Sequence, residues 1–286
     1  MSVRAKARLL AAVLALACAG KARASLVLAV LSSDSGHYRQ AYEGFQEAWG
    51  STVPFVLAGD AFPLGPLDAI VAFGSRAALR ECPLSPLFVT CLAPGARPKR
   101  RGELLRVDLL PPATLLAASL KKLLPHLAVL RVLWSSDFEI DEVAELTAAA
   151  KERGFSVVSE RIEDPEDLPA RVRAFAGRSD ALWLMPDPAL VNAQNFKTLR
   201  EYARAERIPF LAPTDGLAEQ GATATLSVSF RDIGRAAAAA LKARLNGGAA
   251  QGRVHSDRIF VTVSASAARE VGMDLDAAGG VDRTVK

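Results

Sequence analysis

Residues 31–38 read Leu-Ser-Ser-Asp-Ser-Gly-His-Tyr and follow directly on the apolar run Leu-Val-Leu-Ala-Val-Leu. Hydroxyls, a carboxylate, an imidazole and a glycine at the end of a buried strand can hydrogen-bond a small molecule and let it approach the backbone. Bond-breaking chemistry needs partners that this chain does not supply. Its three histidines, His37, His126 and His255, are scattered, and only His37 falls in such a loop. No G-x-S-x-G, H-E-x-x-H, G-x-x-x-x-G-K-[ST] or G-x-G-x-x-G occurs. No Cys/His/Asp set has ligand spacing, so neither an enzyme, nor a metal, nor a cofactor is expected.

Binding is the chemistry these residue types support. In open α/β sheets, ligands lie beyond the carboxyl ends of the strands, where loops lead into helices. In the first half of the chain that rule selects Ser33, Ser35 and His37, then Gly74 and Ser75, then Thr90. In the second half it selects Ser135, Ser136 and Phe138, then Asp187 and Asp215. Serines and glycines at helix starts suit an anionic or carbonyl-bearing group, because unpaired N–H groups there attract negative charge. Asp187 and Asp215 suit an ammonium or hydroxyl, and Phe138 offers a ring to an apolar body. A competing reading makes Ser35, Asp137 and Asp187 plain helix caps, with Pro188 at the first helical position after Asp187.

The elements that must hold these loops repeat along the chain as a short apolar run, a small-residue loop and an amphipathic helix. The runs at 26–31, 68–73 and 86–91 alternate with helical stretches, the first of which places Tyr38, Ala41, Tyr42, Phe45 and Trp49 on one face. The pattern restarts after Pro111-Pro112, with runs at 127–134, 180–185 and 207–213 and a helix from Pro165 to about Ala176. Strands buried on both faces and alternating with helices predict parallel sheets of the doubly wound kind, in two lobes. Strands at 222–229 and 258–264, with a capped helix at Ser229–Asp232, are too few for a third core and must complete the other two. The tail from 276 to 286 shows no core-forming pattern.

At 286 residues the chain suffices for two domains. Residues 1–24 combine Arg4, Lys6 and Arg8, an apolar stretch from Leu9 and an Ala22-Arg23-Ala24 cleavage pattern, and read as a secretory signal peptide cut after Ala24. That segment carries five of the 35 Lys and Arg and none of the 31 Asp and Glu, which leaves the remainder at a formal charge of −1. The basic balance of the whole chain is therefore no argument for nucleic acid. After cleavage Cys82 and Cys91 remain. They lie at opposite ends of a predicted strand, about 15 Å apart at ~3.3 Å per residue, too far for a disulfide, and are expected as largely buried thiols.

The stretches LSSDSGHYRQAYEGF, VAFGSRAALRE, DPEDLPARVRAFAGRSDALWLMPDP, RIPFLAPTDGLAEQGA and VSFRDIGRAAAAALKARLNGG followed by RIFVTVSASAAREVGMDL resemble, in that order, the ABC-transporter substrate-binding proteins of the branch that includes tryptophan- and tyrosine-type binders. The resemblance implies a type I periplasmic-binding-protein fold, with two Rossmann-like lobes and parallel sheets joined by a three-segment hinge. It places lobe 1 at 25–118, completed by 226–254, and lobe 2 at 119–225, completed by 255–275, with crossings near 111–126, 220–229 and 252–260. It also implies periplasmic capture of a carboxylate-bearing or amino-acid-like ligand by lobe closure and delivery to an ABC permease. The same fold can instead present its closed form to a receptor or histidine kinase. The first loop departs from the shorter His-Pro loop of the amino-acid-binding members, so the resemblance does not name the ligand.

Overall fold

The computed structural model describes residues 25–286 apart from 64, 84, 100, 101, 176, 250 and 251. The expected signal peptide, residues 1–24, lies outside the described residues.

The first sheet is built from β1 (Val27–Leu31), β2 (Phe55–Leu57), β3 (Ala69–Phe73), β4 (Leu87–Cys91), β5 (Glu103–Val107) and β11 (Arg253–Val254), in the order β11-β5-β4-β3-β1-β2. All its pairings are parallel. Every residue of β1, β3 and β4 is buried, because helices cover both faces and alternation has no solvent side to serve. One face carries α1 (Gly36–Trp49) and α8 (Phe230–Leu245), whose Tyr42, Phe45, Ile233, Ala237 and Leu241 share a core with Val71 and Val89. The other face packs Val30, Ile70 and Phe88 against Ala77 and Ala78 of α2 (Ser75–Leu79).

The second sheet has the order β13-β12-β10-β9-β8-β6-β7. Its members are β6 (Val129–Trp134), β7 (Ser156–Arg161), β8 (Ala181–Leu184), β9 (Phe210–Ala212), β10 (Ala224–Ser227), β12 (Phe260–Ser264) and β13 (Arg283–Val285). On one face α3 (Ala113–Leu123) and α4 (Ile140–Glu152) bury Leu116, Leu120, Val143 and Leu146 around Trp183. On the other, α5 (Leu168–Arg173) and α6 (Ala193–Glu206) enclose Phe196, Leu199 and Phe210. Two short helices, α7 (Gly216–Glu219) and α9 (Ala265–Val271), complete the order.

Several expectations need correction. One pairing, β10 with β12, is antiparallel, since the chain re-enters this sheet from the other lobe. The tail is not structureless: β13 pairs in parallel with β12, and Ala278 and Val281 pack on the core beneath it. The chain crosses between sheets three times, between β5 and α3, between β10 and α8, and between β11 and β12. The first crossing therefore falls at residues 108–112, ahead of its expected place, and α3 belongs entirely to the second lobe. The stretch from Pro165 forms a 3-10 turn at Pro165–Asp167 followed by α5, which ends at Arg173.

The caps also moved. Asp187 does not start a helix: α6 begins at Ala193, with Asn192 Oδ1 accepting from the Asn195 N–H at 2.9 Å. The turn before α4 is capped by Ser136 and not by Asp137. Ser229 caps α8 as its sequence predicts, accepting from the Asp232 N–H at 3.0 Å.

Candidate ligand-binding cleft

The carboxyl ends of β1, β3 and β4 in one lobe and of β8 and β9 in the other face a common cavity of about 850 Å³. Lobe 1 contributes His37, Tyr38, Gln40, Ser75, Leu92 and Pro94; lobe 2 contributes Pro188, Thr214, Asp215 and Gly216. The crossing segments supply Ser227–Phe230 and Phe260. The volume lies in the range of small-molecule sites, and the walls are mainly apolar and aromatic with a few hydroxyls, the usual make-up of such a site.

Of the residues predicted from sequence, His37, Ser75 and Asp215 line this cavity. The His37 ring lies 4.0 Å from Tyr38 and 5.3 Å from Phe230 between centroids, and loss of water there holds its imidazole below the usual value. The Asp215 carboxylate accepts from Thr262 Oγ1 and pairs with Arg283 at 2.9 Å.

Thr90 and Phe138 border a second, narrow gap of about 30 Å³ between the lobes, which shares Pro94 and Leu109 with the large cavity. Phe138 reaches across from lobe 2 to Gly95, where an added Cβ would lie 2.9 Å from its ring. Thr90 is itself 3% exposed, so it presents little to solvent.

Ser33, Ser35, Gly74, Ser135, Ser136 and Asp187 line neither space. Ser33 and Ser35 face each other at 3.2 Å beside the start of α1. The neighbouring Ser32 is the buried member of the loop, its Oγ accepting from the Ala77 N–H at 3.0 Å and so tying β1 to α2. Gly74 serves this same junction: its φ is +97°, and a Cβ there would overlap Ser32 Oγ and the Tyr38 ring. The two serine-rich loops do not oppose each other across the cleft. Ser135 donates both its N–H, at 2.7 Å, and its hydroxyl to Asp187, which is fully buried and also accepts from the Ala189 N–H at 2.8 Å.

Sequence reasoning missed Glu139, whose Oε2 accepts from the N–H groups of Ser135 and Ser136 at 3.3 Å each and whose carboxyl lies beside that of Asp187. It is 1% exposed. Burial, then the Asp187 carboxylate, push its carboxyl up to about 9, so it is protonated at neutral pH and can donate to Asp187. This acid pair ties the loop after β6 to the loop after β8. The only forewarning was the Ser136-x-x-Glu139 spacing of a capping box.

Ion pairs span the lobes beside the narrow gap. Arg106 of β5 meets Glu142 of α4 at 2.7 Å, and Arg253 of β11 meets Glu142 at 3.2 Å and Glu145 at 2.8 Å. Asp108 holds both arginines on the lobe 1 side, at 2.7 and 2.9 Å. Neither cysteine is bridged: Cys91 is buried, which raises its thiol, and Cys82 Sγ donates to the Arg80 carbonyl at 3.4 Å.

Two lobes, three crossings and a cavity at paired strand ends accompany a match to a known family. Residues 117–274, more than half of the chain, match the ABC transporter substrate binding protein model. The chain belongs to that family. Solved substrate-binding structures share the fold at low identity. The L-Trp complex of an ABC domain from Streptococcus pneumonia superposes with a TM-score of 0.61 at 17% identity, covering 92% of this chain and 100% of that one. The ligand-free, open form of a substrate-binding protein with adhesive properties from Clostridium difficile gives 0.62 at 17% identity, covering 91% and 98%. An uncharacterised protein of Rickettsia prowazekii is 29% identical over 125 residues, a stretch spanning 43% of this chain and 41% of that protein.

As a substrate-binding protein the chain binds its solute and does not transform it. The proteins of this family work outside the cytoplasm, and no helix among the described residues is long and apolar enough to cross a membrane.

Proposed function

We propose that this protein is exported by way of residues 1–24, captures an amino-acid-like solute between its lobes in the periplasm, and delivers it to an ABC permease. The observation that carries this reading is the cavity of about 850 Å³ lined from both lobes at the ends of their parallel strands. Among the described residues, Asp215 is the one lining side chain with a formal charge at neutral pH, and no Lys or Arg lines the space. A solute with an apolar body, small polar ends and little net charge is the best complement to such walls. The rings of His37, Tyr38, Phe230 and Phe260 favour an aromatic body, and the L-Trp held by the Streptococcus protein puts aromatic amino acids first among the candidates.

The lobes capture by closing, because ligands of this class are mostly enclosed when bound and the walls of this cavity come from two lobes joined by three crossing segments. A thermal-shift panel of amino acids, short carboxylates, nucleosides, sugars and aromatic acids tests the reading on the chain from Ser25. A ligand at about 100 times its Kd stabilises by roughly 2.7 kcal/mol. The expected result is a shift confined to one chemical class and lost in Ser75→Trp, which fills the cavity from lobe 1. No shift from any class would contradict the proposal.

A further inference from the structure

The C-terminal strand enters the sheet in a register that sets Arg283 directly beside Thr262 of β12. Both side chains then reach the same carboxylate: Thr262 Oγ1 donates to one oxygen of Asp215, and Arg283 holds the other at 2.9 Å. The strand is anchored at its start, where Val261 N–H donates to Asp282 Oδ2 at 2.8 Å and Asp282 N–H donates to the Val261 carbonyl at 2.9 Å. Arg283 also meets Glu219 of α7 at 3.2 Å, and its Nε is buried without a hydrogen-bond partner. The guanidinium is thus fixed against the one charged side chain that lines the cleft cavity among the described residues.

We propose that Arg283 is a specificity-determining residue: by occupying Asp215 it neutralises the cavity and turns away cationic solutes. This rests on reading the cavity as the ligand site. A carboxylate in the lining of a mainly apolar pocket would otherwise attract an ammonium, and the arginine supplies that positive charge from within the protein. Selectivity of this kind comes from a difference between ligands and needs no contact between Arg283 and the solute.

Two probe sets that differ in charge on one skeleton test it: tryptamine, L-tryptophan and indole-3-propionate, and putrescine, 4-aminobutanoate and glutarate. Binding is read by calorimetry on wild type, Arg283→Gln, Arg283→Lys and Asp215→Asn. Arg283→Gln is expected to gain roughly fivefold for a cationic probe over its zwitterionic partner, the worth of one half-exposed ion pair. Adding Asp215→Asn to it should cancel the gain, and Arg283→Lys should keep the wild-type ranking. Asp215→Asn alone frees the arginine and should move the preference toward an anionic probe, which keeps the test decisive if Arg283→Gln does not fold. The same ranking in wild type, Arg283→Gln and Asp215→Asn, or no probe gained by either variant, overturns the role of Arg283. Wild type that binds no probe while Arg283→Gln gains a cation instead counts against the proposed solute class and upholds Arg283.

Discussion

Glu139 and Asp187 are 48 positions apart in sequence, yet they form one buried acid pair that organises the lobe 2 loops. Glu139 has a folded-state value near 9 against 4.5 for the ordinary carboxyl. Between those values the unfolded chain gives up a proton that the native protein retains, so the contribution of Glu139 to native stability is greatest below about pH 4.5 and is lost as pH rises toward 9. The slope is up to ~1.4 kcal/mol per pH unit. Glu139→Gln reproduces the protonated form and should remove this slope while leaving the fold intact, as urea melts at pH 5, 7 and 9 would show. A slope unchanged by Glu139→Gln would place the proton elsewhere. Residues of this kind were half legible. Asp187 was singled out for its Pro-Asp-Pro setting, but its true partner, Ser135, comes from a loop 52 residues earlier, and no local pattern encodes that meeting. His37, Ser75 and Asp215 reach the cavity wall where the strand-end rule, which depends only on local alternation, puts them.

Among the elements, α1 and α8 pack with their backbones in close approach, and two glycines permit it. A Cβ on Gly44 would overlap the Arg231 carbonyl oxygen, and one on Gly234 would overlap that of Ala41. Gly234→Ala should therefore destabilise by about 3 kcal/mol in chemical denaturation, although helix propensity alone predicts a gain of about 1 kcal/mol. A stabilised variant would show that the helices separate at no cost. The pair matters to function because the starts of both helices, at His37 and Phe230, form one wall of the cavity. Long, buried elements such as β1, β3, β4 and α8 were legible from their apolar runs and caps. The tail strand was not, since Arg283–Val285 has three residues, none buried, and is defined only by its neighbour. The start of α6 was misplaced because Pro186-Asp187-Pro188 imitates a helix entry, whereas the Asp187 carboxylate is already engaged by Ser135.

At the scale of the molecule, the lobes meet over two unlike regions that share Pro94 and Leu109. On one side Phe138 presses on Gly95 beside the Arg106–Glu142 and Arg253–Glu145 pairs, leaving only about 30 Å³. On the other the lobes stand apart over about 850 Å³. A contact already made on one side and a gap on the other suit rotation about the three crossing segments, which brings the gap's walls together on a ligand. The binding energy available for that motion is the difference between the contacts of the closed and open forms. Small-angle X-ray scattering of the chain from Ser25, before and after addition of the compound giving the largest thermal shift, measures the motion directly. A smaller radius of gyration is expected with that compound and no change with one that gives no shift. A compound that binds in the cavity and leaves the radius of gyration where it was would contradict capture by closure.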